Sequence, residues 1–336
     1  MDSLTHIAIG ACMGEAFAGK TVGRKAMLWG IAAQSIPDID FISSFWMDTS
    51  SSLLAHRGFT HSILFALVIT GIMARFANHW HRPHNISFLR WVLFFAFAIM
   101  GHLFLDCFNN YGVGLLEPFD HHRFSFNTIY VADPFFSIAP IVALVMLLIP
   151  RKKTRRRFWW KFGLSICSIY LCYALVNKWV VDRGFRNSLA RQQINYTRYF
   201  TTPAPLQNWL WFVVAGNDNG YYAGYRSVFD GQQQSSPLTW FPRNAALADS
   251  LSDRKALDQL VRFSQGFYTI EKREDTLLFN DLRFGQVIGW ENPKEAFAFH
   301  YYLHPDIDNK LVVQRGRFAK WTPATFKIFL ERIKGR

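Results

Sequence analysis

The first third of the chain carries imidazole and carboxylate side chains, which are the types that bind divalent metal ions. His102 and Asp106 are four residues apart, so a helix would place both on one face, where they could reach the same ion. Asp38 and Asp40 lie in the stretch PDID, where Pro37 interrupts a helix and irregular backbone could direct both carboxylates into one cavity. We predict one metal-binding set with six members: His6, Asp38, Asp40, His61, His102 and Asp106.

Three imidazoles and three carboxylates are more ligands than one structural zinc ion needs. They would suit two divalent ions about 4 Å apart, a geometry that activates water for hydrolysis of a phosphoester or an amide. We therefore expect one or two divalent metal ions as the cofactor, with zinc favoured and manganese as the alternative. The four cysteines of the chain show no spacing that is typical of a zinc site.

These residues also have ordinary structural interpretations. A single histidine in a helix, such as His6, is more often a hydrogen-bonded packing residue than a metal ligand. Asp38 and Asp40 could cap the helix that follows them. The His102–Asp106 pair could be a local contact within one helix. These explanations are weaker when taken together. Each one treats a polar side chain separately, so the shared location predicted below for all of these side chains would be a coincidence.

Long apolar segments surround the polar residues and predict an α-helical, multi-pass membrane domain over residues 1–181. A helix that crosses a bilayer needs about 20 mostly apolar residues. A stretch at 27–42 is shorter and carries the PDID carboxylates near its end. Four segments reach or approach the required length: 62–79, 89–108, 134–150 and 158–181.

The basic residues of the chain, whose formal net charge is +13, cluster between apolar segments. RKKTRRR at 151–157 could be a nucleic-acid patch, but its position between two predicted spans favours a cytoplasmic loop that obeys the positive-inside rule. Alternation of the spans then places the basic stretches 20–25 and 75–90 inside as well, in agreement with the rule. We therefore expect membrane lipids, and no nucleic acid, as partners. Three further histidines fall on the cytoplasmic side and are left out of the metal set: His79, His81 and His84.

The same alternation brings the predicted metal ligands to the outer face of the membrane. PDID ends one segment, His61 begins the next, and the His102–Asp106 pair ends the one after that. Ionisable side chains inside a membrane are energetically expensive, so their convergence at one depth predicts a functional site. Arg57 could extend to lipid headgroups, or beside a metal site it could bind phosphate and stabilise developing negative charge.

The stretch GEAFAGKT, residues 14–21, matches the pattern of a phosphate-cradling P-loop. A true P-loop follows a strand and opens a helix within an α/β sheet, whereas the segments around this stretch are predicted membrane helices. Gly10 and Gly14 also form a small-xxx-small pair, which favours close packing of helices. The sequence therefore does not predict nucleotide binding.

The chain carries, in order, the motifs MDSLTHIAIG, PDIDF, HRGFTHS, GHLFLDCFNNYG, PFDHHRFSF and DPFF. This series resembles the inner-membrane metal-dependent hydrolase family of the YdjM and YbcI type, which is itself distantly similar to zinc-dependent phospholipases C. The motifs depart from the family pattern at NNYG, where a serine or threonine is expected before the tyrosine, and this affects substrate contacts rather than the metals. The resemblance implies that the six residues above bind metal. It also implies that three more line the same site as catalytic residues: His56, Arg57 and Asp133.

From about residue 182 the apolar runs shorten and charged residues are interspersed, which predicts a separate soluble domain over residues 182–336. The stretch LWFVVAGNDNGYYAGYRSVFD is typical of two strands around a turn. WTPATFKIFLERIKGR predicts a closing helix with Thr322 as its cap and Pro323 at its first position. We expect a small α+β domain with an antiparallel sheet on the extracytoplasmic side, serving as a lid, a substrate-binding module or a structural part.

Together these patterns predict a metal-dependent hydrolase of the inner membrane. Metal-bound water would attack a phosphoester of a lipid, a lipid-linked substrate or a small molecule at the outer face, with Asp38 or Asp106 as the base and Arg57 on the anionic group. Two other classes stay open, namely a transporter or ion-conducting protein that uses the His and Asp residues, and a non-catalytic membrane scaffold. A transporter would distribute these residues through the bilayer instead of gathering them at one end.

Overall fold

The computed structural model describes residues 1–81, 86–149, 152–251, 254–304, 309, 318 and 320–335. The chain forms two compact units. The first comprises Met1–Trp46 and Ala55–Tyr173, and the second comprises Met47–Leu54 and Ala174–Arg336. The predicted domain boundary after residue 181 differs from this division, which falls inside one continuous helix.

The described residues up to Arg191 are mostly helical, with one long non-helical connection over residues 107–133. Two short 3₁₀ helices, Pro37–Phe45 and Phe59–His61, carry the PDID and HRGFTH stretches. The α-helices are α1 Ser3–Val22, α2 Lys25–Ser35, α3 Thr49–Ala55, α4 Ile63–Trp80, α5 Phe88–Asp106, α6 Pro134–Leu148 and α7 Lys153–Arg191.

Three of the described helices are long and apolar enough to cross a membrane, namely α4, α5 and α7, and α6 is a shorter apolar helix. Large apolar side chains cover their outer surfaces, such as Leu67, Phe97 and Ile138, which are 64%, 73% and 62% exposed. An apolar surface of this extent suits contact with lipid. The predicted helical N-terminal region with apolar spans is thereby confirmed. The stretch 27–42 is not one helix, because α2 ends at Ser35 and Pro37 starts a 3₁₀ helix.

Helices α1 and α2 cross so closely that their contact requires glycine. A Cβ atom added at Gly30 would overlap the carbonyl oxygen of Gly10, and one added at Gly14 would overlap the carbonyl oxygen of Ala26. The small-xxx-small pair in α1 therefore has the packing role predicted for it. This crossing places His6 of α1 against Gln34 near the end of α2.

The second unit contains seven described strands. They are β1 Arg198–Pro203, β2 Leu210–Asn217, β3 Gly220–Ser227, β4 Leu238–Pro242, β5 Tyr268–Arg273, β6 Thr276–Gln286 and β7 Phe297–Tyr302. They form two antiparallel sheets, with strand orders β1-β2-β3-β4 and β5-β6-β7.

Two predictions for this unit are confirmed. The predicted strand pair around the Asn-Gly turn is β2 and β3. Helix α8, Lys255–Phe263, precedes the second sheet, and the predicted closing helix is α9, Pro323–Ile333, with Thr322 as its cap.

The C-terminal half of α7 belongs to the second unit because it packs against the first sheet. Val181, Phe185 and Leu189 recur at every fourth position and form one buried stripe of the helix. They contact Trp211 and Val213 of β2. Composition changes near residue 182, but the helix itself continues to Arg191, so the change in composition marks a change of packing partner.

Candidate metal centre

Four of the predicted ligands meet at one point in the first unit. Asp38 comes from the 3₁₀ helix that starts at Pro37, His61 ends the short 3₁₀ helix before α4, and the other two lie in the last turns of α5. One ligand atom from each residue lies within 4.8 Å of the others. Within the described residues this is the one such His/Cys/Asp/Glu group: Asp38, His61, His102 and Asp106.

Both imidazoles direct their Nε2 atoms into this group. His61 Nε2 lies 3.2 Å from His102 Nε2, 3.5 Å from Asp38 Oδ1 and 3.4 Å from Asp106 Oδ2. His102 Nε2 lies 3.6 Å from the same two carboxylates. Three of the four side chains have no exposed surface, and Asp38, at 18%, is the member that solvent reaches.

The outer nitrogens of both imidazoles are held by other groups. His102 Nδ1 donates to the backbone carbonyl of Gln34 at 2.7 Å, which leaves Nε2 as the nitrogen with a lone pair when the ring is neutral. His61 Nδ1 lies 3.2 Å from Asp40 Oδ2. Partners of this kind orient metal-binding histidines and raise their basicity.

Asp40 lies next to the group of four and organises the HRGFTH turn. Its carboxylate accepts hydrogen bonds from His56 Nδ1 at 3.0 Å, from the Arg57 backbone N–H at 2.7 Å and from Thr60 Oγ1 at 3.1 Å. Arg57 adopts a positive φ of 57° in this turn. Asp40 therefore positions His61, and direct metal binding by Asp40 stays a prediction.

His6 lies against the same group from α1. Its Nδ1 is 2.9 Å from Gln34 Oε1, its Nε2 is 3.1 Å from Asp106 Oδ1, and its ring centroid is 3.8 Å from that of His102. Both nitrogens are thus engaged with oxygen acceptors, so His6 supports Asp106 and direct metal binding by His6 stays a prediction. The six predicted residues nevertheless form one connected cluster.

The charged groups of the cluster shift one another's protonation. Asp38, Asp40 and His61 lie outside the three candidate membrane spans, and the pKa of each is shifted. Burial alone would raise the pKa of both Asp38 and Asp40. Neighbouring histidines lower these pKa values by more than burial raises them. The histidines are His61 and His102 at Asp38, and His56 and His61 at Asp40. The pKa of Asp38 falls to about 2, and that of Asp40 also lies below its usual value. Burial lowers the pKa of His61, but contacts with Asp106, Asp38 and Asp40 raise it to about 9. The negative charges of the carboxylates and the positive charge of His61 therefore stabilise each other in this buried site.

A divalent cation fits this donor set. Asp106 Oδ2 is buried and accepts no hydrogen bond from the described residues, although Arg57 Nε lies 3.2 Å away and His61 Nε2 lies 3.4 Å away. A buried acceptor left without a partner costs about 1–3 kcal/mol. Two carboxylates and two imidazoles are also ligands that zinc and manganese accept.

The three predicted catalytic residues occupy different surroundings. The guanidinium of Arg57 is buried, approaches Asp106 through Nε and donates from Nη2 to the Met1 carbonyl at 3.1 Å. The His56 side chain is 38% exposed at the edge of the cluster. Asp133 caps α6 and accepts from the Tyr170 hydroxyl at 2.8 Å. The described hydrogen bonds of Asp133 do not include the group of four, so its catalytic role stays a prediction without support from these contacts.

Sequence reasoning missed two participants. Gln34 is fully buried, holds His6 through its side chain and His102 through its backbone, and donates from Nε2 to the Ala98 carbonyl at 2.6 Å. Its signal was an amide side chain in an otherwise apolar helix, four residues before Asp38. The amino group of Met1 binds Asp106, and no motif predicts this contact.

Two of the three histidines predicted to lie on the cytoplasmic side are described, and neither joins the group. His81 accepts a hydrogen bond from Trp29 Nε1 at 2.9 Å and stacks on Trp91, so it packs among aromatic side chains. His79 lies in the last turn of α4. His84 lies outside the described residues.

A protein-family model described as "YdjM inner membrane protein" matches residues 1–181. The chain belongs to this family. The match contains every predicted metal ligand and ends ten residues before the end of α7. Family membership confirms the predicted resemblance to the YdjM type and supports an inner-membrane location.

Two curated proteins are similar to parts of the chain. Inner membrane protein YbcI of Escherichia coli (strain K12) is 30% identical over 123 residues, which are 36% of this chain and 69% of YbcI. The protein YfhP of Bacillus subtilis (strain 168) is 29% identical over 157 residues, which are 44% of this chain and 46% of YfhP. No solved structure matches the chain. The relatives therefore agree with the family assignment, and the name of YbcI agrees with a membrane location. Neither name states a reaction.

Proposed function

We propose that this member of the YdjM family is a membrane-bound metal-dependent hydrolase. Its substrate would be a phosphoester of a lipid or of a lipid-linked molecule at the outer face of the inner membrane. The observation that carries the proposal is the convergence of Asp38, His61, His102 and Asp106 to within 4.8 Å at the end of an apolar helix. Such a donor set, part carboxylate and part imidazole, is typical of catalytic zinc and manganese sites.

These four residues would hold one or two divalent ions. When bound, such an ion supplies a Lewis acid that polarises a phosphoryl oxygen and lowers the pKa of water. Asp40 would keep His61 in the orientation needed for binding, and the Gln34 carbonyl would do the same for His102. The chain thereby contributes a buried, preorganised set of donors.

Asp38 is the better candidate for the general base, acting through a carboxylate oxygen that the metal leaves free. Its side chain is the one member of the group that solvent reaches, at 18% exposed, whereas Asp106 is fully buried. Its pKa of about 2 keeps it ionised at neutral pH, so it can accept a hydrogen bond from water and orient that water. Asp106 is surrounded by Arg57, His6 and the Met1 amino group, which suits it to binding the metal and not to accepting a proton from water.

His56 and Arg57 would contact the substrate. The exposed part of His56 lies at the edge of the cluster, and Asp40 holds its Nδ1. This arrangement suits donation of a proton to a leaving group from the other ring nitrogen. Arg57 Nη1 makes no hydrogen bond to the described residues, so it is suited to receive a phosphoryl oxygen.

We infer a lipid substrate from the position of the candidate metal centre at the membrane boundary. His61 lies two residues before α4, and Asp106 is the last residue of α5, so the cluster sits at the ends of two candidate spans. The distribution of basic residues in the sequence supports a multi-pass topology with this end and the C-terminal domain on the extracytoplasmic side. The gathering of the described His/Asp group at one end favours a hydrolase over a transporter.

The test uses the full chain purified in detergent. Metal content is measured by elemental analysis, the protein is then stripped with a chelator, and hydrolysis of phospholipids and of a chromogenic phosphodiester is followed before and after Zn²⁺ or Mn²⁺ is added. We expect activity to be lost on stripping and regained with metal. Turnover that persists in the stripped protein would refute the mechanism, and metal binding without turnover would favour a scaffold.

A further inference from the structure

A basic pocket lies where the end of α1 meets the start of α7, within the first unit. Its volume is about 550 Å³, which is in the range of small-ligand sites. His6 and Glu15 are nine positions apart on α1, so the pocket begins about 14 Å along the helix from His6 of the candidate metal centre. The charged side chains that line it are Glu15, Lys20, Lys153, Arg156, Arg157 and Lys161.

The one carboxylate in the lining is already neutralised. Arg156 donates to Glu15 from Nε at 2.8 Å and from Nη2 at 2.5 Å, and both side chains are buried. Such a bidentate pair satisfies both carboxylate oxygens. Glu15 is therefore not available to balance the other cations of the pocket.

Four cations remain without a counter-ion in this pocket: Lys20, Lys153, Arg157 and Lys161. All four side chains are exposed, and no ion pair among the described residues includes any of them. The first turn of α7 begins at Lys153, so the positive end of the helix dipole adds to the same field. A pocket with this balance of charge attracts anions.

The residues that match the P-loop pattern at 14–21 have other roles in this region. GEAFAGKT lies wholly within α1, so its backbone amides are engaged in helix hydrogen bonds and cannot cradle a nucleotide phosphate. A Cβ atom at Gly19 would collide with the carboxyl group of Glu15, so glycine leaves room for the Glu15–Arg156 pair. Gly14 is required by the contact with α2, and Lys20 lines the pocket.

We propose that this basic pocket binds a phosphate-bearing anion. Trp160 forms part of the wall, and Phe158, which is 58% exposed, lies two residues away on the same helix. Tryptophan next to cations is typical of the membrane interface, and basic pockets between membrane helices bind lipid headgroups. The headgroup of an anionic phospholipid and a free phosphate share the recognised chemistry. The site is independent of the metal-dependent activity proposed above.

The test compares a pocket variant with a matched control, using the full chain in detergent. Lys20→Gln with Lys161→Gln removes two charges from the pocket, and Lys152→Gln with Arg155→Gln removes two charges from the same basic region outside the pocket lining. Binding of phosphatidylglycerol, phosphatidylcholine and inorganic phosphate is measured by native mass spectrometry and by titration. Each cation near a phosphate contributes about fivefold to affinity, so the pocket variant, which lacks two of them, should bind about 25-fold more weakly.

Each result decides the proposal. Binding of phosphatidylglycerol, but not phosphatidylcholine, that is lost in the pocket variant and retained in the control supports the site with lipid as its source. Inorganic phosphate that binds or competes with the same variant dependence supports the site with a soluble source. Equal weakening in both variants would reveal general attraction to the basic region and overturn the pocket. Absence of binding to the native protein would overturn it as well. Unchanged thermal unfolding of both variants excludes misfolding as the cause.

Discussion

His61 and His102 come from different segments of the chain and turn their Nε2 atoms toward each other at 3.2 Å. The other nitrogen of His102 donates to Gln34, and the other nitrogen of His61 faces Asp40. Two lone-pair nitrogens this close have no mutual attraction unless a proton or a cation lies between them. The nearby carboxylates of Asp38 and Asp106 make a divalent cation a chemically suitable occupant.

Replacement of either imidazole should remove metal from the purified protein. We expect His61→Ala and His102→Ala each to reduce the bound metal per chain to near zero in elemental analysis, because each removes one of four converging ligands. His121→Ala is the matched control, since that side chain is 57% exposed and outside the group. Metal content that is the same in all three variants would contradict the site.

Loss of the Asp40 carboxylate should weaken metal binding without changing the number of metal ions bound per chain at saturation. Asp40→Asn keeps the shape of the side chain but weakens its hold on His61 and His56, and loss of such a partner typically reduces metal affinity by about 10–100-fold. Competition with a chelating dye measures this affinity. Asp275→Asn, at an exposed turn, should leave it unchanged. A variant of Asp40 with native affinity would show that its carboxylate does not orient the ligand.

The crossing of α1 and α2 should tolerate no side chain at its centre. Gly30→Ala would drive a Cβ atom into the Gly10 carbonyl, so we expect it to destabilise the protein by about 1–3 kcal/mol in thermal unfolding in detergent. Gly71→Ala in α4 is the control, because no atom of the described residues lies within 4 Å of its Cβ position. That substitution should be neutral or stabilising, since alanine favours the helix. Similar effects of both would mean that close approach is unimportant.

The buried Glu15–Arg156 pair should show strong non-additivity. Arg156→Met leaves Glu15 unpaired in a buried position, which costs about 3–5 kcal/mol, whereas Arg156→Met combined with Glu15→Gln should cost much less. Thermal unfolding of the two single variants and the double variant measures the coupling. Arg155→Met, which changes an exposed neighbour, controls for loss of charge in the basic region. Additive effects would show that the two side chains do not depend on each other.

Local patterns were enough to predict the secondary structure that carries the site. The apolar lengths of α4 and α5, the break at Pro37 and the capped closing helix after Thr322 each depend on a few neighbouring residues. The boundary between the two units was not predictable in this way. Helix α7 continues through the change in composition, and only its packing of Val181 and Phe185 against a distant sheet assigns its second half.

The sequence by itself determined which side chains are available for metal chemistry and that they lie at the ends of apolar segments, because residue type and spacing along a helix are local properties. The tertiary structure decided which of these side chains converge on one point and which of them orient the others. Asp38, His61, His102 and Asp106 converge, while His6 and Asp40 support them, and Gln34 holds two imidazoles at once. These roles depend on glycine-mediated helix crossing and on contacts between residues far apart in sequence, and distances of that kind are set only when the helices pack.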